Sequence, residues 1–172
     1  MLFDNKKILK SAMLTTGLKD FGEEDFVEPM EILTSDYRTG ANLNRLGRLA
    51  AWSYLHRMLS NRLRLNAFNK KRNILRQKID RPIFIVGLPR TGSTLLHEMM
   101  AMHSDLRAPL FWEASFVPEN SATDFFRRCL AKGQIITLNT LSPSFKTVHP
   151  MGSEQPPECI TMQAASLRQM PS

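Results

Sequence analysis

Residues 82–96, PIFIVGLPRTGSTLL, carry the strongest structural signal of the chain. The apolar run 83–86 is rich in β-branched and aromatic residues without polar alternation, which predicts a buried parallel strand. Gly87 and Gly92 bound the loop that follows, and an apolar helical pattern begins at Ser93. Glycine lets the backbone approach an anion closely, and the N–H groups that open a helix carry partial positive charge. The stretch therefore predicts a strand, loop and helix that bind a phosphate group.

The spacing of the two glycines matches the G-x-x-x-x-G of the nucleotide-binding P-loop, but Ser93 stands where that motif has its lysine. That lysine normally reaches the β- and γ-phosphates, so its absence disfavours an ATPase, a GTPase or a kinase relative. The cation of this loop is Arg90, and the hydroxyls of Ser93 and Thr94 open the helix.

Residues 89–96, PRTGSTLL, resemble the 5′-phosphosulfate loop of sulfotransferases that use 3′-phosphoadenosine 5′-phosphosulfate (PAPS). Four further segments resemble a bacterial-type branch of the same family, namely 16–22, 46–49, 105–113 and 149–159. The resemblance implies an α/β fold, with a P-loop-type parallel sheet flanked by helices and preceded by a helical N-terminal region. It also implies transfer of a sulfuryl group from PAPS to an acceptor hydroxyl or amine, without a metal.

The same resemblance assigns the donor site residue by residue. Thr91, Gly92, Ser93 and Thr94 would hold the 5′-phosphate through backbone N–H groups and hydroxyls. Arg90 would neutralise charge on the transferred group and is expected to contribute both to binding and to catalysis.

Glu113 is the preferred general base. It follows a short strand predicted near 107–111, and α/β folds place reactive groups at the carboxyl ends of their strands. The tyrosylprotein branch of the sulfotransferases similarly has a catalytic glutamate shortly after its second strand. His149 is the alternative base, and Glu113 is alternatively a structural carboxylate that pairs with Arg90 or Arg107.

Composition argues against several other classes of protein. His56, His97 and His103 share no metal-ligand spacing with cysteines or carboxylates, so a metal site is not expected. Cys129 and Cys159 are too few for a disulfide framework, which favours a reducing compartment. No apolar run approaches the length of a membrane span, and lysines interrupt the N-terminal segment before a signal peptide could form. A cytoplasmic location is the resulting prediction.

The net charge of +7 is unevenly distributed, because no Asp or Glu occurs between Tyr37 and Ile79. The basic residues of this window are Arg38, Arg45, Arg48, Arg57, Arg62, Arg64, Lys70, Lys71, Arg72, Arg76 and Lys78. Such a stripe suggests a nucleic acid, an acidic acceptor or a membrane surface. A solvated helix face with carboxylate partners elsewhere is favoured over these, because the aromatic residues fall on apolar stripes and not between the charges.

Helical patterns dominate the first half of the chain. They predict a first helix capped by Asp4 or Asn5 and ending near Gly17, and a second over 23–39 that stops at Gly40. A long helix over 42–68 has two apolar stripes, which predicts burial between two layers. A polar connector over 69–81 follows. We therefore predict a helical N-terminal region at 1–80 and a partial P-loop-like sulfotransferase core at 81–172.

In the core, the helix predicted over 93–103 buries one apolar set, Leu95, Leu96, Met99 and Met100. With only two or three strands, the predicted sheet leaves an edge exposed, so aggregation or dependence on a partner is expected.

The family's 3′-phosphate-binding arginine and serine lie later than the segments matched here, which suggests an N-terminal portion whose C-terminal half is missing or supplied by a partner. The alternative function is a non-catalytic remnant that binds anions or a partner protein.

Overall fold

The computed structural model describes residues 2–72, 76, 78–88, 91–117, 121–144 and 151–168. Its α-helices with described bounds are α1 (Asn5–Thr16), α2 (Val27–Thr39), α3 (Arg45–Arg72), α4 (Ser93–Ala101), α5 (Phe111–Ser115), α6 (Asp124–Leu141) and α7 (Cys159–Gln163). Short 3-10 turns occupy Glu24–Phe26, Ser121–Thr123 and Ala164–Ser166.

The predicted parallel sheet is wrong, because the described ranges contain helices and no strand. Residues 82–88 have no ladder partner among these ranges, and the side chains of Phe84 and Val86 are 81% and 92% exposed. A parallel strand forms only where a second segment accepts and donates its backbone hydrogen bonds, so a local apolar run is not sufficient. The predicted second strand, 107–111, instead leads into α5.

The chain divides into two compact units. Met1–Arg76 and Gln163–Ser172 form the first unit, and Gln77–Met162 form the second. The sequence-based division at residues 80 and 81 stays a prediction.

Helix α1 begins and ends where the capping signals predict, whereas α2 ends at the predicted Gly40 but begins at Val27 and not at residue 23. The Asp4 carboxylate accepts a hydrogen bond from the Lys7 N–H at 3.0 Å, and Gly17 ends α1 in the left-handed conformation with φ of 70°. Gly40 ends α2 by donating its N–H to the Asp36 carbonyl at 2.9 Å. Because these signals act within a few residues, the sequence alone is sufficient to place them.

Helix α3 contributes four buried apolar residues to the first unit's core, all from its middle: Leu55, Met58, Leu59 and Leu63. Leu55, Leu59 and Leu63 are fully buried and pack with α1, α2 and the Ala164–Ser166 turn. The first turns of α3 stay outside this core, since Leu46 and Leu49 are 53% and 56% exposed. The predicted burial of the long helix therefore holds for its middle only, from Leu55 to Leu63.

Two basic residues of α3 have carboxylate partners outside the acid-free window. Arg62 pairs with Asp25 and also donates from Nε to the Phe21 carbonyl at 2.8 Å, while Lys70 pairs with Asp20. These contacts attach the segment before α2 to α3. They agree with the favoured interpretation of a helix face whose carboxylate partners lie elsewhere in the chain.

The core of the second unit is small. Phe111 and Trp112 of α5 pack against Ala131 and Ile135 of α6. Helix α4 has no buried residue, which makes the burial prediction for its apolar set wrong, and Leu95, Leu96 and Met99 are 62%, 48% and 57% exposed.

Candidate functional site

The loop before α4 is tight and ends in a glycine. Thr91 donates from Oγ1 to the Leu88 carbonyl at 2.7 Å, and a Cβ added at Gly87 would lie 3.0 Å from that hydroxyl. Gly92 has φ of 86° and forms the N-cap of α4, where its carbonyl accepts from the Leu96 N–H at 3.0 Å. A residue with a Cβ would be strained at this φ, so glycine is required for the turn into the helix.

The start of α4 has the properties of an anion site. Its first turn contains no acidic residue, and no side chain of the described ranges caps it. The first N–H groups of a helix have no intrahelical acceptor and carry the positive end of the helix dipole. Ser93 and Thr94 add hydroxyls at the same place, whereas Arg90 lies outside the described residues. Four of the five predicted donor-binding residues are therefore consecutive at one helix start.

Glu113 lies in the first turn of α5 and not after a strand. Its Oε1 accepts from Arg107 Nη2 at 2.8 Å, and its Oε2 accepts from the Leu110 N–H at 2.8 Å. The pairing with Arg107 is the contact that the sequence analysis raised as the structural alternative. Each carboxylate oxygen has a second lone pair, so Glu113 can still accept a hydrogen bond from the hydroxyl of a substrate. A role as general base stays a prediction.

The turn that carries Glu113 is fixed by backbone contacts from a distant loop. The Phe111 N–H donates to the Gln155 carbonyl at 2.8 Å, and the Trp112 N–H donates to the Ser153 carbonyl at 3.2 Å. These bonds satisfy N–H groups that the start of a helix leaves unpaired.

Arg127 is a positioning residue that the sequence analysis missed. Its side chain is buried, donates from Nε to the Phe116 carbonyl at 2.8 Å and pairs with Asp124 at 2.5 Å. The guanidiniums of Arg127 and Arg128 lie 4.7 and 4.3 Å from the centre of the Trp112 ring. The i,i+3 spacing of Asp124 and Arg127 was the available signal.

The structure also bears on the alternative base, the two cysteines, and the expectations about metal binding and membrane spans. His149 lies outside the described residues, so its role as the alternative base stays a prediction. Cys129 and Cys159 are free and exposed. Over the described ranges, no three His, Cys, Asp or Glu side chains cluster as a metal site would require. No helix of those ranges combines the length and the apolar character needed to cross a bilayer.

Comparison with known proteins points to one family. The model of a sulfotransferase family matches residues 82–171, which is more than half of the chain. No curated protein matches the sequence.

Two solved structures are similar to this chain. Sulfotransferase STF1 from Mycobacterium tuberculosis H37Rv is 26% identical with a TM-score of 0.75, over 95% of this chain and 47% of that protein. Sulfotransferase STF9 from Mycobacterium avium is 18% identical with a TM-score of 0.77, over 96% of this chain and 44% of that protein, and shows the fold alone. The chain thus spans less than half the length of either structure.

Proposed function

The chain belongs to the sulfotransferase family, and we propose that it transfers a sulfuryl group from PAPS to an acceptor hydroxyl or amine. The observation that carries this proposal is the start of α4, where Gly92 opens a helix whose first turn contains no acidic residue. The phosphosulfate group of PAPS carries one negative charge on its phosphate and one on its sulfate, so it needs N–H donors and no competing carboxylate, and this helix start supplies both.

The roles of the loop residues follow from their chemistry. The N–H groups near Ser93 and Thr94, together with their hydroxyls, would bind the 5′-phosphate of the donor. Arg90 would neutralise the charge that develops on the oxygens of the transferred group. This positioning and charge neutralisation, and not covalent catalysis, would supply most of the rate, as in phosphoryl transfer.

The proton of the acceptor needs a base. The acceptor oxygen or nitrogen attacks the sulfur, the bond from sulfur to the phosphate oxygen breaks, and 3′-phosphoadenosine 5′-phosphate leaves with that electron pair. Glu113 would take the acceptor proton, with one oxygen anchored on the Leu110 N–H and the other beside Arg107. His149 is the alternative for this step.

The donor site is tested by thermal unfolding with 3′-phosphoadenosine 5′-phosphate, compared with ATP and Mg²⁺ and with EDTA present. We expect the 3′-phosphorylated nucleotide to stabilise the chain, EDTA to have no effect, and Arg90→Ala and Thr94→Val to abolish the stabilisation. Thr140→Val is the matched control, because Thr140 Oγ1 only donates to the Ile136 carbonyl of its own helix at 2.8 Å. Stabilisation by ATP that EDTA removes would favour a kinase relative instead.

A second candidate function is favoured by exposed apolar surface in the second unit. Large apolar side chains there are exposed by about half or more, including Ile83, Phe84, Val86, Leu88, Leu95, Leu96, Met99, Met102, Phe125 and Phe126. Where exposed apolar residues form a contiguous patch, the patch usually marks a contact with another polypeptide segment. The chain would then bind anions or a partner without catalysing transfer alone.

Sedimentation velocity separates these alternatives. Self-association, or a shift to a defined complex when a partner segment is supplied, would support partner dependence. A monodisperse monomer that melts cooperatively and turns over PAPS would exclude it. The free, exposed Cys129 and Cys159 support the proposal of a reducing, cytoplasmic environment for either function.

A further inference from the structure

A polar cleft of about 270 Å³ lies where α2 ends and α3 begins. Its lining consists of Tyr37, Arg38, Thr39, Asn42, Leu43 and Arg48. Two arginines, a tyrosine, a threonine and an asparagine thus line one space, and no acidic residue lines it. All of these residues belong to the first unit, so the cleft is separate in sequence and in unit from the loop at α4.

The frame of the cleft is held by local caps on both sides. Gly40 and Ala41 donate their N–H groups to the Asp36 carbonyl, each at 2.9 Å, which ends α2. Asn44 Oδ1 accepts from the Gly47 N–H at 2.7 Å, which starts α3. Asn42, between these caps, has φ of 45°, a left-handed conformation that Asn tolerates better than most residues. The cleft is therefore formed without a ligand.

The charge of the cleft is not balanced by nearby acids. Neither Arg38 nor Arg48 makes a side-chain hydrogen bond or an ion pair to another residue of the described ranges, whereas Arg62 and Arg107 each pair with a carboxylate. No Asp or Glu occurs from Tyr37 to Ile79, and Asp36, the last acid before the cleft, does not line it. Two guanidiniums thus share one space without a protein counter-charge.

Tyr37 adds an oriented neutral donor. Its ring packs against Phe3 with ring centres 5.1 Å apart, which fixes the phenol at the wall of the cleft. A phenol is protonated at neutral pH, and burial raises the pKa of Tyr37 further, so its hydroxyl is available as a donor. The cleft therefore combines charged donors, the arginines, with a neutral donor, the tyrosine, as sites for oxyanions do.

We propose that this cleft binds the phosphate or sulfate group of a small ester, with Arg38 and Arg48 as its charged ligands. The planar guanidinium matches the spacing of two oxygens on a phosphate or sulfate, and two such groups offset the double charge of a phosphate ester. The volume is slightly below the range of about 300–1,000 Å³ typical for drug-sized ligands, which suits a small ester.

Titration of the whole ¹⁵N-labelled chain by NMR tests this proposal with three probes: inorganic phosphate, phenyl phosphate and phenol. We expect saturable shifts at residues 37–48 with both phosphates and none with phenol. Shifts at residues 91–96 would report the separate donor loop and are distinguished by their assignment. Arg38→Gln and Arg48→Gln should each weaken binding at the cleft by roughly tenfold or more, because each removes a charged hydrogen bond.

Arg45→Gln is the matched control. Arg45 lies in the same acid-free window and begins α3 but does not line the cleft, so its loss should change the affinity by less than about twofold, as for screened surface charges. Equal weakening by all three variants would reduce the effect to diffuse attraction and overturn the proposal, as would the absence of saturable shifts. Arg38→Lys, which keeps the charge but loses the planar fork, should bind with intermediate affinity and controls for any loss of folding.

Discussion

Arg107 and Glu113 form an ion pair at 2.8 Å in which the arginine side chain is 76% exposed and the glutamate only 24% exposed. The glutamate is anchored independently of the arginine, because its other oxygen accepts from the Leu110 N–H. The carboxylate is therefore held in the first turn of α5 by two independent contacts, one to a backbone N–H and one to a charged side chain.

Replacing Glu113 with Gln tests its proposed role as a base. The amide oxygen of Gln can still accept from the Leu110 N–H, so α5 should persist, while the ability to take a proton is lost. We expect kcat/KM for sulfuryl transfer to fall by about 10²-fold or more, and the acidic limb of the pH–rate profile to disappear.

Two controls accompany this variant. Glu154→Gln removes the exposed carboxylate that pairs with Arg128 in the same unit and should leave kcat/KM within about twofold, as expected for surface pairs. Arg107→Gln should lower kcat/KM less than Glu113→Gln does. An unchanged pH–rate profile in Glu113→Gln would assign Glu113 a structural role only and make His149 the base to test next.

Leu59 and Leu49 lie on the same helix but should respond differently to truncation. Leu59 is fully buried, so Leu59→Ala should lower the free energy of unfolding by about 2–5 kcal/mol through lost burial and a residual cavity. Leu49 is 56% exposed, and Leu49→Ala should cost less than about 0.5 kcal/mol. Urea unfolding followed by circular dichroism measures both, and similar losses would contradict the observed burial.

Arg127 should stabilise the second unit more than its neighbour Arg128. Arg127→Met leaves the Phe116 carbonyl and the Asp124 carboxylate without their charged donor, and should cost about 2 kcal/mol or more. Arg128 is 46% exposed on its side chain, and Arg128→Met should cost less than about 1 kcal/mol.

Trp112 reports this change directly, because both arginines lie over its ring. In a background with Trp52→Phe, the midpoint of the fluorescence change in urea should fall clearly for Arg127→Met and only slightly for Arg128→Met. The reverse order would show that Arg127 does not hold α5 against α6.

Asp20 should make the first unit sensitive to acid. Its hydrogen bond from Lys70, and next that from the Gly22 N–H, lower the pKa of Asp20 below the ordinary value of 3.8. A carboxyl whose folded-state pKa is lowered stabilises the fold above its ordinary pKa, and that contribution is lost as the pH falls through the folded-state pKa. The difference in Tm between the parent chain and Asp20→Asn should therefore be present at pH 7 and shrink below pH 3.8.

Lys70→Gln removes the largest cause of this shift and serves as the partner variant. It should reduce the loss of Tm between pH 5 and pH 2, and the double variant should show less than the sum of the two single effects, as neighbouring residues do. Additive effects would mean that Asp20 and Lys70 do not interact in solution.

Local signals in the sequence predicted the helical unit well. Asp4, Gly17 and Gly40 act within one turn of their own positions, so the ends of α1 and α2 could be placed without tertiary information. The long helix was also predicted, although it begins three and ends four residues later than expected, because helix boundaries are the least certain part of a sequence-based prediction.

The second unit was predicted less well, because its features depend on distant contacts. The apolar run 83–86 has strand composition, but a strand also requires a partner, and composition gives no information about one. Glu113 was identified in sequence, yet its place in a helix depends on the carbonyls of Ser153 and Gln155, about 40 residues away in the chain. The start of α4 directly after Gly92 was predictable, since glycine and the helix start act locally, and its role in binding an anion stays a prediction.

Helix α3 is continuous over 28 residues, which corresponds to a length of about 42 Å. Its backbone hydrogen bonds are of one kind throughout, but the fully buried leucines begin only at Leu55. Amide protons of the first turns should therefore exchange with solvent through local fraying, whereas those around Leu59 and Leu63 should exchange only when the whole unit opens. The amide protons of a single uninterrupted helix will then exchange with two different lifetimes. These lifetimes are set by what each part of the helix packs against and not by its secondary structure.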